Sequence, residues 1–74
     1  MKETLAPVQS FGSFIKSKRL QLGLTQHDVA TMAGINQGYL CRVENGIKEP
    51  TLTRALKLCD VLDLNINDFA SKYI

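Results

Sequence analysis

Amide and guanidinium side chains cluster in the twenty residues from Gln26 to Asn45. Asn36, Gln37 and Arg42 lie inside this segment, and Gln26 begins it. The amide of Gln can form two hydrogen bonds to adenine, and the guanidinium of Arg can bind guanine in the same way. Each such contact contributes about 1–3 kcal/mol of discrimination between bases. The residue types therefore predict hydrogen bonding to base edges, with an exposed polar surface or a surface salt bridge as the alternative.

Residues around these base-reading candidates could hold phosphate. Gln26 begins a predicted helix, where free backbone amides attract anions. The Tyr39 hydroxyl could reach a phosphate, or its ring could cover the surface of its own helix. Asn36 is expected mainly to cap its helix, while Asn45 and Lys48 follow that helix and are further candidates for phosphate contact. For Lys48 the alternative is an ordinary surface lysine, and Lys16 and Lys18 are weaker candidates.

Gly38 interrupts this polar set and lies between Gln37 and Arg42 in the same predicted helix. Glycine inside a helix is less favourable than alanine by about 1 kcal/mol. Gly38 could allow the backbone to approach a base closely, or it could mark a weaker reading surface. Its replacement by alanine is expected to stabilise the fold.

Two short helices joined by a tight turn must position these residues. Thr25 and Asn36 are predicted N-caps, and Gly34 lies between the helices, where a positive φ lets the chain reverse. The expected inner residues of the unit are Val29, Ala30, Ala33, Ile35, Leu40 and Val43. This arrangement predicts a helix-turn-helix, whose second helix enters the DNA major groove.

The rest of the chain also shows helical periodicity. Residues 1–9 are predicted to form a flexible arm and residues 10–74 a single domain. Ser10 is expected to cap a first helix ending near Leu22, with Phe11, Phe14, Ile15 and Leu22 facing inward. The fourth helix is expected to start at Pro50 and Thr51, with Leu52, Ala55, Leu56, Cys59 and Leu62 facing inward. Asn65 is expected to cap a fifth.

Composition and charge restrict the classes of function. The chain has 74 residues and a net charge of +2, with six basic and three acidic side chains in residues 1–48. The two cysteines are expected to be reduced thiols, and neither they nor His27 form a metal cluster or a nucleophile–base pair. We therefore expect no enzyme activity, no cofactor and no metal. With no apolar membrane segment or secretion signal in view, a cytoplasmic protein is expected.

Several motifs in order resemble those of the lambda-repressor-like, Cro/C1-type (XRE) helix-turn-helix family. They are Leu24–Gln26 (LTQ), Val43–Gly46 (VENG), Pro50–Leu52 (PTL) and the closing Leu62–Phe69, together with Ala30, Gly34 and Ile35. The resemblance implies a compact, all-α, five-helix domain. It also implies that Arg19, a charge on the apolar face of the first helix, pairs with Glu44.

The resemblance implies a transcriptional regulator that binds double-stranded DNA, a repressor working as a homodimer on a near-palindromic operator. A phage, mobile-element or restriction-modification controller role would fit, with regulation by concentration, a partner protein or competition for DNA. The alternatives are a DNA-binding antitoxin that also binds a protein toxin, and a protein-interaction module without DNA binding. The expected dimer surface is apolar and consists of Leu58, Val61, Leu64, Ile66, Phe69, Tyr73 and Ile74, unless these residues complete the monomer core.

Overall fold

The computed structural model describes the backbone of residues 7–73, and in this range the chain forms five helices and no strand. The helices are α1 (Pro7–Gln21), α2 (Gln26–Ala33), α3 (Gln37–Glu44), α4 (Leu52–Val61) and α5 (Ile66–Tyr73). Helix α3 packs against α1 and α2, α4 packs against α2, and α5 packs against α1. The all-α, five-helix prediction is confirmed. No helix of the described range is long and apolar enough to cross a membrane.

The predicted helix-turn-helix is formed by α2 and α3. Gly34 adopts the left-handed conformation at φ +68°, and the N–H of Ile35 donates to the Ala30 carbonyl over 2.9 Å, which closes the end of α2. Thr25 and Asn36 cap the two helices as predicted. The residues that join the helices across the turn are buried: Val29, Ala30, Ala33, Leu40 and Val43.

Helix α1 begins earlier than predicted. It starts at Pro7, so Ser10 lies within the helix and is not its N-cap, and the proposed arm loses its last three residues to the helix. Proline suits the first turn of a helix because its missing N–H would have no intrahelical partner there. Residues 1–6 of the predicted arm lie outside the described residues. At the other end, Leu22 is 48% exposed rather than buried, because the helix has already ended at Gln21.

Helix α4 presents a different face to the core from the one expected. The helix begins at Leu52 with Thr51 as its N-cap, one residue later than the predicted start at Pro50 and Thr51, and Ala55, Cys59 and Leu62 are buried. Leu58, which is fully buried, completes this face, whereas Leu52 and Leu56 are 72% and 45% exposed. The helix is therefore rotated toward Leu58. Burial raises the pKa of the Cys59 thiol, as expected for a reduced, structural cysteine.

Two contacts fix α1 in the bundle. Gly12 lies against the end of α3, so closely that a Cβ atom there would stand 2.1 Å from the Val43 carbonyl oxygen. The rings of Phe11 and Phe14 contact the ring of Phe69 in α5, with centroid distances of 5.3 and 5.6 Å. The pair of Phe11 and Phe69 is edge-to-face, and such pairs stabilise packing beyond the area that they bury.

Candidate nucleic-acid interface

A buried ion pair supports the helix-turn-helix from beneath. Arg19 donates from Nε to Glu44 Oε2 over 2.8 Å and from Nη2 to Glu44 Oε1 over 3.0 Å. Its Nη1 donates to the Leu24 carbonyl oxygen over 2.9 Å. The pair that the resemblance implied is confirmed. The hydrogen bonds from Arg19 to Glu44 raise the pKa of the guanidinium, which therefore stays charged although it is buried.

Gln26 belongs to the same network. Its Nε2 donates to Glu44 Oε1 over 3.1 Å, so Glu44 accepts hydrogen bonds from both the first and the second helix. The Gln26 side chain therefore contacts the structural carboxylate. The amide has a second N–H and an acceptor oxygen that this bond does not use. Gln26 is half-buried at the start of α2, where it can also offer its backbone amide to phosphate.

A reciprocal capping box fixes the start of α2. The N–H of Asp28 donates to Thr25 Oγ1 over 3.0 Å, and the N–H of Thr25 donates to Asp28 Oδ2 over 2.9 Å. The hydrogen bonds from Thr25 lower the pKa of the Asp28 carboxyl. The acidic side chain at the helix start is therefore engaged with the backbone of Thr25.

The start of α3 carries the exposed polar groups that were predicted to read bases. Asn36 accepts the N–H of Tyr39 at its Oδ1 over 3.2 Å and so acts as the N-cap, while Gln37 is exposed in the first turn. Arg42 is exposed, and its Nη1 would stand 3.7 Å from a Cβ atom placed on Gly38. The guanidinium thus lies over Gly38, toward the helix start. Four residues therefore form one polar surface at the start of α3, which we call the α3 surface: Asn36, Gln37, Gly38 and Arg42.

Tyr39 is a core residue, and the prediction that its hydroxyl contacts phosphate is wrong for this structure. The residue is 7% exposed, and its Oη is buried with no hydrogen-bond partner among the described residues. The Cζ atom of Arg54, at the start of α4, lies 4.6 Å from the centre of the ring. The ring therefore packs inward and carries a cation on one face.

The residues after α3 remain exposed. Asn45 ends the helix, and its Nδ2 approaches Cys41 Sγ at 3.5 Å. Lys48 is exposed in the loop, and its backbone N–H donates to the Arg42 carbonyl over 3.2 Å. Phosphate contact by Asn45 and Lys48 stays a prediction.

The residues of the expected dimer surface have different positions. Leu58 and Phe69 are buried in the monomer, so they cannot contact a partner directly, and their part of the prediction is wrong. Val61, Leu64 and Ile66 are partly buried against the core. The side chains of Tyr73 and Ile74 lie outside the described residues. A groove between α4 and α5 is lined by Leu56, Cys59, Asp60, Asp63, Leu64, Asn65 and Ile66.

Sequence reasoning missed Gly12 and Arg54. A glycine between Phe11 and Phe14 in a helical pattern was the available signal for close helix packing at Gly12. Arg54 had no comparable signal, because its contact with Tyr39 joins residues of two different helices.

Comparison with known proteins agrees with this architecture. A family model described as helix-turn-helix matches residues 15–69. The chain is 35% identical over 49 residues to an uncharacterized HTH-type transcriptional regulator, YqaF, from Bacillus subtilis (strain 168). That match covers 66% of this chain and 64% of YqaF, so just under two thirds of the relative's length is matched.

Solved structures share the fold. The restriction-modification controller protein C.AhdI from Aeromonas hydrophila superposes with a TM-score of 0.81 at 29% identity, covering 88% of this chain and 98% of that chain. The clp gene regulator ClgR from Corynebacterium glutamicum gives a TM-score of 0.86 at 24% identity, covering 92% of this chain and 72% of that chain. The similarity to ClgR concerns the fold alone.

Proposed function

Because this chain belongs to the helix-turn-helix family of DNA-binding transcription regulators, we propose that it recognises a specific duplex sequence through the α3 surface. We further propose that it binds a near-palindromic operator as a homodimer and represses transcription. This role places the protein in the cytoplasm, with the DNA that it binds. The controller role named for C.AhdI is one form that such regulation could take.

The observation that carries the proposal is that the start of α3 exposes polar side chains while the end of the same helix is fixed by buried hydrogen bonds. Gln37 and Arg42 are exposed, while Glu44, at the end of the same eight-residue helix, is held by Arg19 and Gln26. Because the end of α3 is held by Glu44, its exposed side chains have a defined position, and base recognition requires such positioning. Gln37 is suited to adenine and Arg42 to guanine.

Backbone contacts would position this helix on the duplex. The amides at the start of α2, with Gln26, and the side chains of Asn45 and Lys48 are the candidates. Contacts to phosphate fix register and orientation but carry no sequence information directly. They would make binding strongly dependent on salt, because each contact releases condensed counterions from the DNA.

A dimer would supply the specificity that a single domain lacks. Two copies read half-sites about one turn of DNA apart, which doubles the number of bases read. The apolar side of the α4–α5 groove supports such pairing, because Leu56 is exposed there beside the partly buried Leu64 and Ile66. Leu52 extends this surface by one helical turn.

Selection of bound sequences from a random DNA pool tests the proposal. We expect a palindromic consensus from the wild-type chain, with two half-sites separated by about one turn. The variants Gln37→Ala and Arg42→Ala should each relax the consensus at a symmetric pair of positions. The control Lys16→Ala, an exposed cation on α1, should leave the consensus unchanged. Failure of the wild-type chain to enrich any sequence would contradict the proposed function.

A further inference from the structure

Arg54 lies beside the first turn of α3 although it belongs to another helix. It is the third residue of α4, and the ring that it covers belongs to Tyr39, the third residue of α3. Tyr39 follows Gln37 by two residues, which is about 3 Å of helix rise and about 200° around the helix. The contact therefore joins the first turns of the two helices and places a cation at the start of α3, on a different side of that helix from the exposed Gln37.

Arg54 has no ion-pair partner within the described part of the chain, and its side chain is exposed. A guanidinium stacks on a ring through its flat face, while its five N–H donors point outward in the plane. The contact with Tyr39 restrains the side chain, and no ion pair within the described residues occupies its donors, so they can bind an anion.

The position favours a phosphate over a base. The major groove is about 12 Å wide, and a phosphate strand runs along each side of it. If the start of α3 enters the groove, a cation held on the side of that helix faces the wall of the groove rather than the base edges. The buried Tyr39 hydroxyl cannot take this role itself.

We propose that Arg54 is a DNA phosphate ligand and that Tyr39 is its positioning residue. The inference rests on the proposed function, because it assumes that α3 enters the groove. Arg54 then adds affinity for any duplex and sets the orientation of α3, without reading sequence.

The test measures binding of a short duplex of random sequence between about 50 and 200 mM salt. Arg54→Ala should weaken binding about tenfold, and the slope of log affinity against log salt should fall in magnitude by about 0.9. The control Lys57→Ala removes an equal charge from an exposed position on the same helix and should keep the wild-type slope. Equal slopes for the two variants, or a wild-type slope for Arg54→Ala, would overturn the proposal.

Two substitutions at Tyr39 test the positioning role. Tyr39→Phe keeps the ring and should bind like the wild type, whereas Tyr39→Leu should lower the slope as Arg54→Ala does. Adding Arg54→Ala to Tyr39→Leu should then produce no further loss. A lowered slope in Tyr39→Phe would assign the contact to the hydroxyl and overturn the role of the ring, as would a wild-type slope in a folded Tyr39→Leu variant.

Circular dichroism melts verify that each variant is folded. If Tyr39→Leu does not fold, the Phe variant and the pair Arg54→Ala and Lys57→Ala decide the outcome. Absence of duplex binding by the wild-type chain would defeat the proposed function itself. Normal binding that is insensitive to Arg54→Ala would defeat only this inference.

Discussion

At the scale of single residues, Glu44 connects the stability of the fold to the helix that we propose contacts DNA. It is buried and accepts hydrogen bonds from Arg19 and Gln26. A buried carboxylate is tolerated only when it is paired and its oxygens are hydrogen-bonded. The same three side chains belong to α1, α2 and α3, so this network holds α3 against both of its neighbours.

Removal of Arg19 should therefore destabilise the domain strongly. Arg19→Ala leaves Glu44 buried without its cation, and we expect a loss of about 3–5 kcal/mol in the free energy of unfolding. For a domain of this size, that lowers Tm by more than about 12 °C or prevents folding. The control Lys16→Ala removes an exposed cation from the same helix and should change Tm little. A shift of only a few degrees for Arg19→Ala would contradict the assignment.

At the scale of the elements, the crossing of α1 and α3 depends on a missing side chain. Any Cβ atom on Gly12 would overlap the Val43 carbonyl oxygen and stand 3.1 Å from backbone atoms of Glu44. Backbone atoms cannot move aside as the end of a side chain can, so the two helices would have to separate. That movement would also disturb the pair between Arg19 and Glu44.

Gly12→Ala is thus expected to destabilise the chain, although alanine is the better helix former. The overlap is with backbone atoms, so we expect an overpacking cost near the upper end of the usual range, about 3 kcal/mol. After the gain of about 1 kcal/mol in helix propensity, the net loss should be about 2 kcal/mol, measured by urea unfolding. Gly38→Ala is the matched control, because its Cβ would meet only side-chain atoms, Asn36 Oδ1 at 3.0 Å and Arg42 Nη1 at 3.7 Å.

The close approach of Asn36 reduces the stabilisation that helix propensity alone predicts for Gly38→Ala. The Asn36 oxygen that would have to shift is the one that caps α3, so part of the gain is offset. We expect a net change within about 1 kcal/mol. Equal stabilities for Gly12→Ala and Gly38→Ala would show that the α1–α3 contact tolerates a methyl group.

At the scale of the whole molecule, the apolar surface left on α4 bears on assembly. Leu52 and Leu56 are exposed one turn apart, next to the groove that Leu64 and Ile66 help to line. Exposed apolar side chains that continue into a groove are characteristic of protein–protein contact surfaces. The rotation of α4 that buries Leu58 is what leaves this surface open.

We therefore expect Leu56→Glu to produce a monomer. A charge in an apolar interface is unfavourable, whereas Leu56 is exposed enough for the folded monomer to accept glutamate. Sedimentation equilibrium should show a dimer for the wild type and a monomer for the variant. Leu20→Glu changes an exposed leucine on α1 and should remain dimeric. A dimeric Leu56→Glu variant would place the interface elsewhere.

Local signals in the sequence determined the helices and the helix-turn-helix. Caps such as Thr25 and Asn36, and the left-handed turn at Gly34, act within a few residues, so the sequence alone locates them. The helical periodicity also placed Arg19 on the apolar face of the first helix. Its partner Glu44 was identified through the family resemblance.

Only the tertiary structure decided which faces of these helices are buried. Six of the ten residues of α4 are apolar, so periodicity does not select one face, and packing against neighbouring helices buries Leu58 instead of Leu56. The burial of Tyr39 and its contact with Arg54 likewise depend on how α3 and α4 approach each other. Local sequence specifies a helix and its ends, but its rotation is set by the neighbours that remove one face from water.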